Sequence, residues 1–253
     1  DGNDLSVLSR HILKKRRIVN WAFAQEPDDI IWAVLSDGTL CSLTYLKEHR
    51  VWGWARHKTD GIVESVAVIP SKTERRDIVH IVVKRTIDGA ERRYVETLEE
   101  YIDDPMDEAF FVDSGITYNG SATDTFGGLW HLEGKEVTIY ADGNVIAPQT
   151  VQNGEIITTS NFSKVAIGLG TEYELQPLAT ESDQGKHGAT KGDPKQIKTI
   201  NLELINTRGL FAGQNKGDEL NELSPLFSDD DMSNPIQGYS GIVEIAVEPH
   251  WDD

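Results

Sequence analysis

Ile30-Ile31-Trp32-Ala33-Val34-Leu35-Ser36-Asp37-Gly38-Thr39-Leu40-Cys41-Ser42-Leu43-Thr44-Tyr45 is the stretch that decides the fold. Two runs rich in β-branched and aromatic residues flank an Asp-Gly pair, the strongest short-range signal for a β-hairpin. Upstream, Arg17-Ile18-Val19-Asn20-Trp21-Ala22-Phe23-Ala24 reads as another strand, closed by the turn Pro27-Asp28-Asp29. Downstream, Val51 to Arg56 and Ile62 to Ile69 continue the pattern. Asp77 to Arg85 and Glu91 to Thr97 make a further hairpin around Asp88-Gly89. Turn signals recur roughly every 8–12 residues, the rhythm of an antiparallel meander in a sandwich or a propeller blade.

The apolar spacing at residues 5, 7, 8 and 12 predicts one short N-terminal helix, ending in the basic run Lys14-Lys15-Arg16-Arg17. That run reads as a solvated helix end near the C-terminal dipole rather than as a nucleic-acid site. Residues 99–108 are acidic, polar and contain Pro105, and they mark the best boundary. Beyond them, short alternating strands are expected at Ala109 to Val112, Glu136 to Tyr140, Val145 to Pro148, Glu155 to Thr158 and Val165 to Gly168, a spacing that suits a small barrel. Thr180 to Gln196 lacks large apolar residues and reads as a mobile loop. Ile197 to Leu204 and Gly241 to Val247 read as strands, with no regular pattern between them. The expected organisation is all-β: a meander domain over 1–107, a small β-barrel over 108–178, and over 179–253 loops with two strands packing back.

Charge is placed unevenly. Lys and Arg number 24 against 42 Asp and Glu, for a formal charge of −18. Residues 1–100 carry 16 of each sign, so residues 101–253, with 26 acidic and 8 basic residues, hold the whole excess. Such a surface repels nucleic-acid phosphate, because binding works through Lys and Arg displacing counterions. It serves either solubility or a surface that DNA passes without sticking. No run approaches the roughly 18 apolar residues of a membrane helix. Cys41 is the only cysteine, which excludes an internal disulfide framework and a cysteine zinc cage. Asp1-Gly2-Asn3-Asp4 is neither a signal peptide nor a start methionine, so the chain is expected to be cut from something longer.

Signals for chemistry are weak. The histidines at 11, 49, 57, 80, 131, 187 and 250 form no His-x-His or His-x-x-x-His pair. His57 and Asp60 with a serine can be drawn as a triad, but spacing alone establishes none. There is no Gly-x-Ser-x-Gly elbow, and Phe126-Gly127-Gly128 and Gly168-Leu169-Gly170 read as bends rather than phosphate cradles. Asp229-Asp230-Asp231 lacks the spacing of a calcium loop and reads as a solvated acidic tip. Asn119-Gly120-Ser121 and Asn161-Phe162-Ser163 match the glycosylation pattern, which matters only in a secretory context. Trp21, Trp32, Trp52 and Trp54 could stack on sugar, yet most of them read as core. No catalytic, cofactor-binding or metal residue is assigned, and no cofactor is expected.

Several of these stretches together carry a resemblance. Leu5 to Ile12, Asn20 to Pro27, Ile31-Trp32 through Ser36-Asp37-Gly38-Thr39-Leu40 to Tyr45, Val51-Trp52-Gly53-Trp54 to Gly61, Glu64 to Pro70, Val82 to Gly89 and Arg93 to Glu96 are similar to the C-terminal half of tail nozzle (tail tubular) proteins of short-tailed bacteriophages and related prophages. Gly128-Leu129-Trp130-His131-Leu132-Glu133-Gly134-Lys135-Glu136-Val137 with Ala141-Asp142-Gly143 resembles the small barrel module of these proteins. That module is often likened to a barrel of ubiquitin-activating enzymes, a likeness of fold that implies no ubiquitin chemistry. The resemblance covers residues 4–170 well and 197–247 more loosely.

It implies a non-enzymatic structural protein of the virion tail, made in the bacterial cytoplasm and assembled into a hexameric tube for DNA ejection. Its partners would be further copies of itself, other tail and portal-adapter proteins, and passing DNA held without specific binding. The alternatives are a module that binds a host glycan or a tail fibre, for instance through Trp130, and a hydrolase of cell-wall sugar.

Overall fold

A computed structural model describes residues 4–99, 108–175, 177, 198–207, 210–213, 221–223 and 239–246. The protein is all-β, with antiparallel pairing at every ladder among these residues and one short helix. It divides into two compact units, residues 1–171 and 172–253.

The first unit begins with a four-stranded meander, β1 (Ile18–Ala24), β2 (Ile30–Leu35), β3 (Leu40–Leu46) and β4 (Val51–His57), paired in that order. A three-stranded meander follows: β5 (Ile62–Pro70), β6 (Asp77–Ile87) and β7 (Ala90–Thr97). Side chains alternate across a strand, so Ala22, Ala24, Trp32, Val34 and Leu40 share one face of the first sheet. They enter a single core with Val63, Val66, Val79, Ile81 and Val83 of the second. The two sheets therefore face each other, which is the sandwich arrangement. Each large apolar side chain sealed there contributes about 1.5–3 kcal/mol. Asn20 stitches the layers, its Oδ1 accepting the Val66 N–H at 2.7 Å.

The opposite face of the first sheet carries Leu35 and Cys41. It is covered by α1 (Arg10–Leu13), which places Ile12 against both, with Leu13 and Trp54 alongside. Cys41 is fully buried on the face opposite Leu40, as the alternation of β3 requires. Burial pushes its thiol pKa up. The turn Asp88-Gly89 has φ of 48° and 71°, the pair of positive values that a two-residue hairpin turn of matching twist demands.

The rest of this unit is a four-stranded sheet of β8 (Asp113–Gly127), β9 (Glu136–Ala141), β10 (Asn144–Thr150) and β11 (Glu155–Leu169), in the order β10-β9-β11-β8. Val137, Ile139 and Ala141 of β9, Ile156, Val165 and Ile167 of β11, Phe126, and the plug residues Leu129, Leu132 and Val151 form its core. Two expectations are corrected here. No strand occupies residues 109–112; β8 starts at Asp113 and runs for 15 residues. The two short strands expected at 155–158 and 165–168 are one, β11. The omission of β8 and the division of β11 have one cause. The Ser, Thr and Asn residues of 119–125 and 158–163 look like loops, but the two strands pair across them with register shifts that absorb the irregularity.

In the second unit, β12 (Thr199–Thr207) pairs with β15 (Tyr239–Ala246), where the sequence places two strands. Between them β13 (Leu210–Ala212) pairs with β14 (Asn221–Leu223), although no regular pattern was expected there. These strands are three residues each, too short for periodicity to register. Thr180 to Gln196 and Asp229-Asp230-Asp231 lie outside the described residues.

Candidate functional site: a buried arginine joint

Along β6, Val79, Ile81, Val83, Arg85 and Ile87 occupy one buried face. Arg85 thus sits in phase with an apolar stripe, and its side chain is 1% exposed. A charge in that position survives only if every donor is matched. Its Nε donates to Glu96 Oε1 at 2.8 Å and its Nη2 to Glu96 Oε2 at 2.7 Å, a two-pronged grip on the neighbouring strand β7. Nη1 donates to the Asp60 carbonyl at 2.7 Å. Nη1 and Nη2 also reach the two oxygens of Asp113, at 3.4 and 3.3 Å. The five donors of the guanidinium are all used. Burial opposes its charge, but the Glu96 hydrogen bond and the charges of Asp113 and Glu96 prevail and raise its pKa further.

The acceptors are held in turn. Asp113 takes the Thr59 hydroxyl at 2.7 Å and the Asp60 N–H at 3.2 Å. Glu96 takes the Ser114 hydroxyl at 3.2 Å. Lys135, just before β9, reaches the Asp60 carboxylate at 2.8 Å. His131 Nε2 lies 2.9 Å from the Ser114 carbonyl, and its ring meets Tyr94 of β7 edge-on. Asp113 and Ser114 open β8, so the network fastens the sandwich to the sheet that follows it. A low-dielectric, fully satisfied cluster of this kind fixes geometry more than it adds net stability.

The triad candidates separate. His57 Nε2 is 2.8 Å from Ser42 Oγ, and its ring tilts against Trp32 with centroids 4.9 Å apart. Asp60 is instead committed to Lys135 and the arginine joint. Ser42 is buried, and among the described residues no carboxylate bonds to His57. Burial lowers the His57 pKa, favouring the neutral ring.

The tryptophans split by face. Trp32 is half-buried in the sandwich with its Nε1 unpaired, and Trp54 Nε1 donates to the Leu5 carbonyl at 3.2 Å. Most of the four were expected in the core, but Trp21 and Trp52 are exposed, because they stand on the outer face of the first sheet where α1 does not cover it. In the basic run, Arg16 pairs with Asp37 and donates to the Ile12 carbonyl, while Lys14, Lys15 and Arg17 face solvent. Asn119 and Asn161 are exposed. No three His, Cys, Asp or Glu side chains among the described residues converge as a metal set. No helix among the described residues is long and apolar enough to cross a membrane.

Arg85, Glu96 and Asp113 went unnoticed in the sequence. The available signal was an arginine in register with Val79, Ile81 and Val83, two positions beyond the last of them. Neither a protein-family model nor a curated protein matches the chain.

Proposed function

We propose that this protein is a structural component of the tail of a short-tailed bacteriophage, a wall element of the tube through which the genome leaves. The observation that carries the reading is the arginine joint. The charged groups that the fold draws together, Arg85, Glu96, Asp113, Asp60 and Lys135, link the second sheet of the sandwich to the sheet that follows it. A tube wall under ejection load needs such a fixed junction between modules. Two further observations support it. The stretches similar to tail nozzle proteins include the second half of β6 with Arg85, Arg93 to Glu96 of β7, and the segment 128–137 with Lys135. The charge excess of residues 101–253 suits a surface past which phosphates move without binding.

Imaging the full-length protein by electron microscopy tests the reading. A six-fold ring with a central channel is expected, together with no affinity of this chain for duplex DNA at near-physiological salt. A protein that stays monomeric in its full-length context, or salt-dependent DNA binding by the chain, would overturn it.

A further inference from the structure

Trp130 stands in the 3₁₀ turn Trp130–Leu132 with 66% of its surface exposed. Its ring is nevertheless held in place. It lies on the backbone of Gly154, where a Cβ would come within 2.5 Å of the indole. Gly154 belongs to the turn Asn153-Gly154, with φ of 57° and 70°. The carboxylate of Glu133 accepts the N–H groups of both turn residues, at 2.9 and 2.7 Å. The Leu129 N–H in turn donates to the Gly154 carbonyl at 2.9 Å. Ring, turn and carboxylate form a closed brace around an exposed aromatic face.

Beside this brace, where the end of β10 meets the start of β11, is a cleft of about 560 Å³ lined by Gln149, Thr150, Gln152, Asn153, Glu155 and Ile157. The polar side chains of this lining make no hydrogen bond among the described residues. Three carboxamides, a hydroxyl and a carboxylate thus stand uncommitted along a cleft that shares Asn153 with the turn on which the indole rests. Each carboxamide offers two N–H donors and an acceptor, the set that matches adjacent hydroxyls acting as donor and acceptor at once. The electron-rich face of an indole attracts the slightly positive C–H groups on the flat side of a pyranose ring. A rigid aromatic anchor sacrifices little conformational entropy on binding. Glu133 and Glu155 repel an anionic ligand.

We infer that the braced Trp130 and the carboxamide-lined cleft beside it form a binding site for a neutral oligosaccharide. The site is independent of the tail-wall reading, since it lies on the chain whether or not the chain assembles into a tube.

Titration of the chain with maltohexaose, cellohexaose, chitohexaose and, as an acidic control, hexagalacturonate, followed by tryptophan fluorescence and calorimetry, tests it. At least one neutral hexamer should saturate with one site per chain, and the galacturonate should not. Trp130→Ala should weaken that binding by about tenfold or more. Trp21→Ala should leave it unchanged, although Trp21 is 63% exposed and so equally open to non-specific stacking. Should Trp130→Ala fail to fold, the surface double variant Gln149→Ala/Gln152→Ala takes its place and should also weaken binding. The inference falls if no neutral hexamer binds, if Trp130→Ala or the double variant binds like the parent, or if Trp21→Ala loses as much.

Discussion

Arg85 Nη2 and Asp113 Oδ1 lie 3.3 Å apart, joining residues 28 positions apart in the chain and belonging to two different sheets. The contact matters because the arginine is inaccessible to water while Asp113 is one-quarter exposed. The pair sits at the rim of the core, where solvent screens it only from one side.

Breaking this joint from the buried side should be severe. Arg85→Ala leaves Glu96 and Asp113 facing each other without their cation, a change that typically costs about 3–5 kcal/mol. Arg85→Lys should recover little, since an ammonium cannot grip Glu96 with two parallel bonds. Replacing Asp113 by Asn should cost less, because Glu96 still neutralises the guanidinium. Urea unfolding of the three variants gives the order. Equal losses for Arg85→Lys and Asp113→Asn would contradict it.

The Trp130 brace makes a prediction through a glycine. Gly154→Ala introduces a methyl group into the indole and asks a non-glycine residue to hold φ near 70°. It should destabilise by about 1–3 kcal/mol. Combining it with Trp130→Ala removes the clash but not the backbone strain. The double variant should therefore lose less than the sum of the two singles, a coupling that thermal unfolding can resolve.

Cys41 is 0% exposed and sits among Ile12, Leu35 and Trp54. Its thiol should react with a thiol reagent only on unfolding, since burial both shields it and disfavours the thiolate. Cys41→Ala should be tolerated better than Cys41→Ser, because the serine hydroxyl would lose its water with no partner in view, at about 1–3 kcal/mol. A serine variant as stable as the parent would show that the site admits water.

His57 gives a pH dependence. Its pKa is lowered in the folded protein by burial, so the unfolded chain binds this proton more readily than the folded one. Stability from this group is therefore complete above the ordinary histidine value of about 6.5 and declines as pH falls below it, until the lowered folded value is reached. His57→Gln should flatten the loss that sets in below about pH 6.5 in chemical unfolding curves. An unchanged slope in the variant would place the pH response elsewhere.

The sequence by itself determined the all-β class, the strands of the first two sheets, the hairpins at Asp37-Gly38, Asp88-Gly89 and Asp142-Gly143, and the face on which Cys41 lies. All of these follow from local rules: alternation of period two, and the low cost of positive φ at glycine. It put a strand at 109–112 where there is none, missed β8 and the short pair β13 and β14, and divided β11, since a polar strand held by long-range pairing has no local signature. Tertiary structure alone decided that Arg85 is buried, that Asp60 leaves His57 for Lys135, and that Trp21 and Trp52 face solvent while Trp32 does not. Each depends on which surface a neighbouring element covers. Strand periodicity names two faces, but which of them receives α1, a second sheet or water is fixed only when residues far apart in the chain meet.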